Sequence, residues 1–184
     1  LLVSFAQLEA ELKKKGLDTE GGALFINHTL WNRDGRIIYF YARAGWNGSS
    51  EKRTNVPCTI NSDGTGLYVG HQFIGGHPEW GIGTRIMGSI EKKQVIYDVL
   101  QRKVVGTIGT PEALPNPEGD ISLSPSGEWL ANGFGEGTKN FYTIISMKDG
   151  NWVRTEGVSK GEYSGDIRID PAPCWNRQNN QILV

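Results

Sequence analysis

Two histidines and one aspartate recur at corresponding points of an imperfect repeat. His28 lies in NHTLWNRDG, His77 in HPEWGIGTR and Asp120 in DISLSPSGEW, and aligning the turns of these phrases places the three residues 49 and 43 positions apart. Imidazole and carboxylate groups are common metal ligands in proteins, so three of them converging on one axis could hold a divalent ion such as Mn²⁺, Ca²⁺ or Zn²⁺. The repeat therefore predicts a metal site at His28, His77 and Asp120.

A fourth phrase, APCWNRQNNQILV, begins 52 positions after Asp120 with Ala172, whose methyl group cannot bind a metal. A structural role is the alternative for the other three residues. In that role, a histidine or aspartate at the start of the first strand of one repeat forms a hydrogen bond with the backbone of the neighbouring repeat and holds the two repeats together.

The period of the repeat indicates the fold that positions these residues. Steps of 43 to 52 residues, with several short β-branched or aromatic runs and turn residues between them, are typical of β-propeller blades. The spacing of apolar residues at three and four that a helical repeat needs is absent after Leu24. We predict an all-β chain, a β-propeller fragment of about three and a half to four four-stranded blades with a short N-terminal helix.

The chain is predicted to be a single partial propeller domain, 1–184. Its predicted segments are a helical connector at 1–22, blades at 23–75, 76–118 and 119–164, and the start of a further blade at 165–184. In the connector, a surface helix from Ser4 to Lys15 is capped by Ser4, stopped by Gly16, and carries Phe5, Leu8 and Leu12 on one face. Because a propeller ring needs about four to eight blades, the remaining blades would come from the same polypeptide or from another chain.

Composition limits the partners that the chain is expected to have. The net charge of -1 provides no basic field for nucleic acid, and no apolar run is long enough to span a bilayer, so neither a nucleic acid nor a membrane is expected as a partner. Cys58 and Cys174 match no metal-binding spacing and are read as two buried free thiols, with a disulfide as the alternative. The compartment stays open, with a periplasmic or extracellular location favoured over a cytoplasmic one.

Several phrases together resemble successive blades of the TolB-like propellers, in particular the oligogalacturonate-lyase-like branch. The resemblance covers about residues 25–179 and rests on FINHTLWNRDGRIIYFYARAGW, NSDGTGLYV, GGHPEW, GDISLSPSGEWL and GDIRIDPAPCWNR. It implies a seven-bladed ring whose inner strands present histidines around a central channel, where they bind a divalent metal and a uronate substrate.

Carried over position by position, the resemblance assigns His28 and His77 to the channel histidines. Arg43 matches the arginine after the second strand of the first blade, and Arg168 and Asp170 belong to the fourth phrase. The chain departs from the family pattern at Asp120, which replaces a histidine but can still bind a metal, and at Ala172, which replaces the histidine before proline.

These residues lead to two hypotheses for function. The first is a polysaccharide lyase that cleaves uronate-containing oligosaccharides by β-elimination, with Arg43 or Arg168 as the catalytic group that pairs with the substrate carboxylate. Trp46, in the polar loop GWNGSSEKRT, and Asp170 would contact the sugar. The alternative is a non-catalytic propeller that serves as a binding or assembly module, so whether the chain is an enzyme stays open.

Overall fold

The computed structural model describes residues 2–17, 19, 21–46 and 53–184, and in these residues the chain is all-β apart from one α-helix and one short 3-10 turn. The chain divides into two compact units, Leu1–Phe73 and Ile74–Val184. The division lies two residues from the predicted boundary between the segments 23–75 and 76–118. Each unit is described by itself.

The first unit contains one four-stranded antiparallel sheet, in which each strand pairs with the next along the chain. We call such a sheet a meander. The strands are β1 (Phe25–Trp31), β2 (Ile37–Ala44), β3 (Thr54–Asn61) and β4 (Tyr68–Val69). Residues 47–52, most of the predicted polar loop between β2 and β3, lie outside the described residues.

The turn between β1 and β2 is the hairpin turn that the sequence predicts. The buried Asn32 side chain accepts hydrogen bonds from the backbone N–H groups of Arg36 and Ile37, at 2.8 and 2.9 Å. Gly35 adopts a φ of 70°, a left-handed conformation that glycine reaches without steric cost. An asparagine that accepts backbone hydrogen bonds and a left-handed glycine together reverse the chain here.

Helix α1 (Phe5–Lys14) is capped as predicted. Ser4 Oγ accepts the Gln7 N–H, and the Gln7 side chain accepts the Ser4 N–H, which forms a capping box. The predicted surface connector is nevertheless part of the core, because Leu8 and Leu12 are fully buried. Phe5, which was predicted on the same face, is 55% exposed.

The core of the first unit lies between α1 and one face of the meander. Alternate residues of β2 point to this face, as the period of two in a strand requires. The buried cluster consists of Leu8, Leu12, Ile38, Phe40, Ala42, Cys58, Ile60 and Val69. Cys58 is thus a buried free thiol, whereas Cys174 is free but exposed.

The second unit contains two further meanders. The second meander is β5 (Gly75–Trp80), β6 (Arg85–Ile90), β7 (Lys93–Asp98) and β8 (Lys103–Thr107). The third is β9 (Asp120–Leu123), β10 (Trp129–Glu136), β11 (Lys139–Ser146) and an outer strand in two pieces, β12 (Trp152–Arg154) and β13 (Val158–Ser159). Both pieces of this outer strand pair with β11.

The first strands of the second and third meanders lie side by side. β5 pairs with β9 in parallel, so that the two meanders form one sheet. Its buried cluster comes from β6, β9, β10, β11 and the segment after β8, and consists of Met87, Ile108, Ala113, Leu114, Ile121, Leu123, Leu130 and Ile145.

The chain continues through a 3-10 turn (Gly165–Ile167) to a short hairpin of β14 (Cys174–Trp175) and β15 (Ile182–Leu183). The indole N–H of Trp175 donates to the Ser122 carbonyl of β9 at 3.0 Å. Of the three tryptophans at one repeat position, Trp80 is buried and Trp175 half-buried, whereas Trp31 is 54% exposed.

Candidate functional site

The junction of β5 and β9 brings two of the predicted site residues together. The parallel pairing consists of one residue pair, His77 opposite Asp120. Two residues after His77, the carboxylate of Glu79 accepts the backbone N–H of Leu123 at 2.8 Å, which adds a second link between the two strands. The backbone therefore places the His77 and Asp120 side chains next to each other.

The side chains of His77 and Asp120 form a hydrogen-bonded pair, with imidazole Nδ1 bonded to carboxylate Oδ1. The two groups differ in access: the His77 side chain is 52% exposed and that of Asp120 is 16% exposed. The hydrogen bond to Asp120 raises the pKa of His77, burial opposes this shift, and the Asp120 charge adds to it. An accessible imidazole is thus oriented by a covered carboxylate that stabilises its protonated form.

Residues 165–172, which we call the strap, bring a second charged pair into this region. Arg168 Nε donates to Asp170 Oδ1 at 2.8 Å. Both charges influence His77, because that of Asp170 raises and that of Arg168 lowers its pKa. The second unit therefore groups His77, Asp120, Arg168 and Asp170 in one electrostatic neighbourhood.

Backbone contacts hold the strap against the third meander. The Ile169 carbonyl accepts from Asn140 Nδ2 at 3.4 Å. Gly133 of β10, which pairs with Asp120 of β9, lies so close to the strap that a Cβ atom there would be 1.8 Å from the Pro171 carbonyl oxygen. Glycine is required at this position because the strap backbone occupies the space of a side chain.

Sequence reasoning did not identify three polar residues on β10 and β11 beside this site. Asn132 and Asn140 are buried, and neither Oδ1 atom accepts a hydrogen bond from a described residue. Burial raises the pKa of the buried Tyr142, a hydrogen bond with Asn140 opposes this, and the Asp120 charge adds to the increase. Polar residues at inward positions of otherwise apolar strands were the signal that could have revealed them.

The other predicted site residues belong to the first unit. The His28 ring contacts Tyr41 edge to face, with centroids 5.5 Å apart. The Arg43 guanidinium lies over the rings of Tyr41 and Trp46, at 5.1 and 5.3 Å, and its Nε donates to Asn55 Oδ1 at 2.9 Å. Trp46 is 43% exposed, and the Arg53 guanidinium also lies over its ring, 4.6 Å from the ring centroid. This unit therefore gathers His28, Arg43 and Trp46 around an aromatic cluster.

The metal site predicted at His28, His77 and Asp120 requires its ligands to converge. Within the described part of the chain, no group of three or more His, Cys, Asp or Glu side chains comes together as metal ligands. In the second unit, His77 and Asp120 engage each other with one nitrogen and one oxygen. These two residues do not form a metal centre by themselves.

A scan against protein-family models and a search of curated proteins found no match to this chain. No helix in the described ranges is long and apolar enough to cross a membrane.

Proposed function

We propose that the chain is part of a β-propeller of the TolB-like, oligogalacturonate-lyase-like type, and that each meander is one blade. The proposal is supported by three consecutive four-stranded meanders and by the parallel pairing of β5 with β9. Parallel neighbours are expected for the inner strands of adjacent blades, because every blade starts beside the central channel. Residues 165–184 would begin a further blade, and other blades would come from this polypeptide or another chain.

We propose that this propeller cleaves uronate-containing oligosaccharides by β-elimination. The observation that carries the proposal is the His77–Asp120 pair with the Arg168 guanidinium in the same neighbourhood. Neutralising the uronate carboxylate makes the C5 proton more acidic, and a guanidinium does this through paired, charge-assisted hydrogen bonds. Arg168 supplies this group in the second unit.

His77 is the base of the proposed reaction. Its imidazole takes the C5 proton, the electrons of that C–H bond form the C4–C5 double bond, and the bond from C4 to the glycosidic oxygen breaks. The departing oxygen then takes a proton from the imidazolium, which returns His77 to its starting state. Asp120 orients the ring, and its hydrogen bond raises the pKa of His77, which stabilises the imidazolium that forms during the reaction.

The remaining assignments stay predictions. In the first unit, Arg43 stays predicted to pair with a uronate carboxylate and Trp46 to contact the sugar, and this guanidinium and the half-exposed indole lie together. The predicted role of His28 as a metal ligand is tested by titration with manganese, calcium and zinc salts, in which His28→Ala should bind the ion more weakly than the unmodified chain.

The experiment that tests the lyase proposal is the ultraviolet absorbance of unsaturated uronate products after incubation with pectic, alginate and ulvan-type oligomers. We expect product with one of these substrates, and a loss of at least about a hundred-fold in rate for His77→Gln, because general base catalysis contributes roughly that much. His71→Gln is the matched control, since His71 is an exposed histidine of the first unit. Its rate should equal that of the unmodified chain.

A non-catalytic binding or assembly module is the second candidate. It is favoured by Ala172, which places a methyl group where the fourth phrase would offer an imidazole. Absence of product from every substrate and with every divalent ion, together with retained binding of the same oligomers, would favour the module over the lyase.

A further inference from the structure

We propose that Asp170 is an internal substitute for a ligand carboxylate, which occupies the Arg168 guanidinium until the carboxylate of a uronate residue displaces it. This inference rests on the proposed function for its ligand, and it adds a role for Asp170 that determines how strongly an acidic sugar binds. It concerns the ligand-free and ligand-bound states of the same site.

The strap presents both side chains while its backbone stays fixed. The carbonyl groups of Ile169 and Pro171 face the third meander, the first accepting from Asn140 and the second packing on Gly133. Arg168 and Asp170 alternate with these two residues, and side chains two apart in an extended segment lie on the same side. The ion pair can therefore open without displacing the backbone that carries it.

The contact with Asp170 uses only part of the hydrogen-bonding capacity of the Arg168 guanidinium. Asp170 accepts one hydrogen bond, from Nε, and Arg168 Nη1 donates to the Gly165 carbonyl at a long 3.4 Å. A carboxylate on a separate molecule can approach side-on and accept two parallel hydrogen bonds, which is the stronger geometry. Asp170 is two residues from Arg168 in the chain and makes the single bond, so a free uronate has an advantage in the exchange.

Both partners are accessible to such a ligand. The side chain of Arg168 is 62% exposed and that of Asp170 is 46% exposed. An ion pair this exposed contributes little to folding, because water competes with both partners. The cost of opening it is correspondingly small, and the pair is suited to exchange.

The test is calorimetric titration of the full chain with a galacturonate oligomer and with the fully methyl-esterified oligomer, which lacks the charge. We expect Asp170→Asn to bind the acidic oligomer roughly two- to five-fold more tightly, the range that corresponds to an exposed ion pair. Arg168→Gln should bind it more weakly, and the double variant should bind as weakly as Arg168→Gln. The esterified oligomer should bind Asp170→Asn and the unmodified chain with equal affinity.

Asp166→Asn is the matched control. Asp166 lies in the same strap and is exposed, and its substitution changes the net charge equally without touching the Arg168 pair. Its affinity should equal that of the unmodified chain, and thermal unfolding of every variant checks that the fold is retained. An equal gain in this control would assign the effect to general charge and overturn the inference.

Unchanged, weaker or undetectable binding by Asp170→Asn would overturn the inference, as would a gain that persists in the double variant or with the ester. Assays for unsaturated product on the same samples separate the two proposals. A gain in affinity without product supports the exchange and contradicts the lyase. Product without a gain in affinity contradicts the exchange alone.

Discussion

The strands that open the first two meanders start from similar phrases and end with different geometry. In β1, two residues, His28 and Thr29, stand opposite one residue of β2, so the bulge contains one extra residue. In β5, three residues, 76–78, stand opposite Gly88 of β6, so two are extra. In the β1 bulge, the residue with a left-handed backbone conformation is His28 itself, with a φ of 50°. In the β5 bulge, it is Gly76, the residue before His77.

This difference separates the two histidines that the repeat aligns. A bulge redirects the side chains around it, and a shift of one residue turns a side chain to the other face of the strand. His28 contacts Tyr41 of its own meander, whereas His77 reaches Asp120 of the next one. Equal spacing from a turn therefore does not give equal side-chain direction when the strands carry different bulges.

The two units also differ in what covers their sheets. In the first unit, a helix buries two leucines against the meander, and in the second, a strap packs its backbone against β10. The sheet of the first unit is therefore covered by side chains of a helix, and that of the second unit by the backbone of the strap.

The largest effect is expected in the first unit. Leu12→Ala should lower the free energy of unfolding by about 2–5 kcal/mol, because it leaves a cavity in a fully buried cluster. Phe5→Ala, on the same helix but exposed, should change it by less than about 0.5 kcal/mol. Urea unfolding monitored by circular dichroism measures both, and similar values for the two variants would show that α1 does not form part of the core.

A smaller effect is expected where the strap packs on the second unit. Gly133→Ala introduces a Cβ that collides with the Pro171 carbonyl oxygen, and we expect a loss of about 1–3 kcal/mol as the strap is displaced. Gly106→Ala in β8 is the control, since its Cβ would meet atoms no closer than 3.6 Å. Limited proteolysis should cleave the strap faster in Gly133→Ala, and equal cleavage in both variants would contradict the close packing.

The smallest expected effect is the dependence of folding stability on pH that His77 causes. Because the pKa of His77 in the folded chain is raised above its ordinary value of 6.5, its contribution to stability is fully present below that value and is lost as pH rises through the raised pKa. The contribution should stay below about 1 kcal/mol, since the imidazole is half exposed. Three charges of the described residues influence the group, those of Asp120, Asp170 and Arg168.

Asp120→Asn should lower the pKa of His77, measured by NMR titration of the ring protons, and should reduce the loss of stability with rising pH. Asp166→Asn, which removes a charge from the strap without touching the pair, should leave both unchanged. A His77 pKa that is the same in the Asp120→Asn variant and in the unmodified chain would show that the hydrogen bond does not form in solution.

Much of the secondary structure could be predicted from local sequence. The turn at Asn32–Gly35 joins β1 to β2, and the turn at Lys148–Gly150 joins β11 to β12. Such turns are specified by side chains that bond to nearby backbone and by glycines with positive φ, both of which are visible in the sequence. The broken outer strand of the third meander was not visible, because β12 and β13 both pair with β11 and their interruption has no local signal.

Part of the candidate site could also be predicted. The 43-residue step between His77 and Asp120 identified two residues that the structure pairs, since a regular repeat places equivalent residues on neighbouring first strands. The repeat also aligned His28 with these residues, but its spacing does not reveal the bulge at His28. The repeat spacing likewise does not identify the buried amides of Asn132 and Asn140.

The sequence by itself therefore determined the strands, their turns and the repeat that aligns His77 with Asp120, because these depend on interactions between residues close in the chain. The tertiary structure was needed to show that α1 is core rather than surface, that the strap backbone fills the space at Gly133, and that the charges of the Arg168–Asp170 pair act on His77. These features depend on packing between segments far apart in sequence. Local propensity and periodicity do not report that packing.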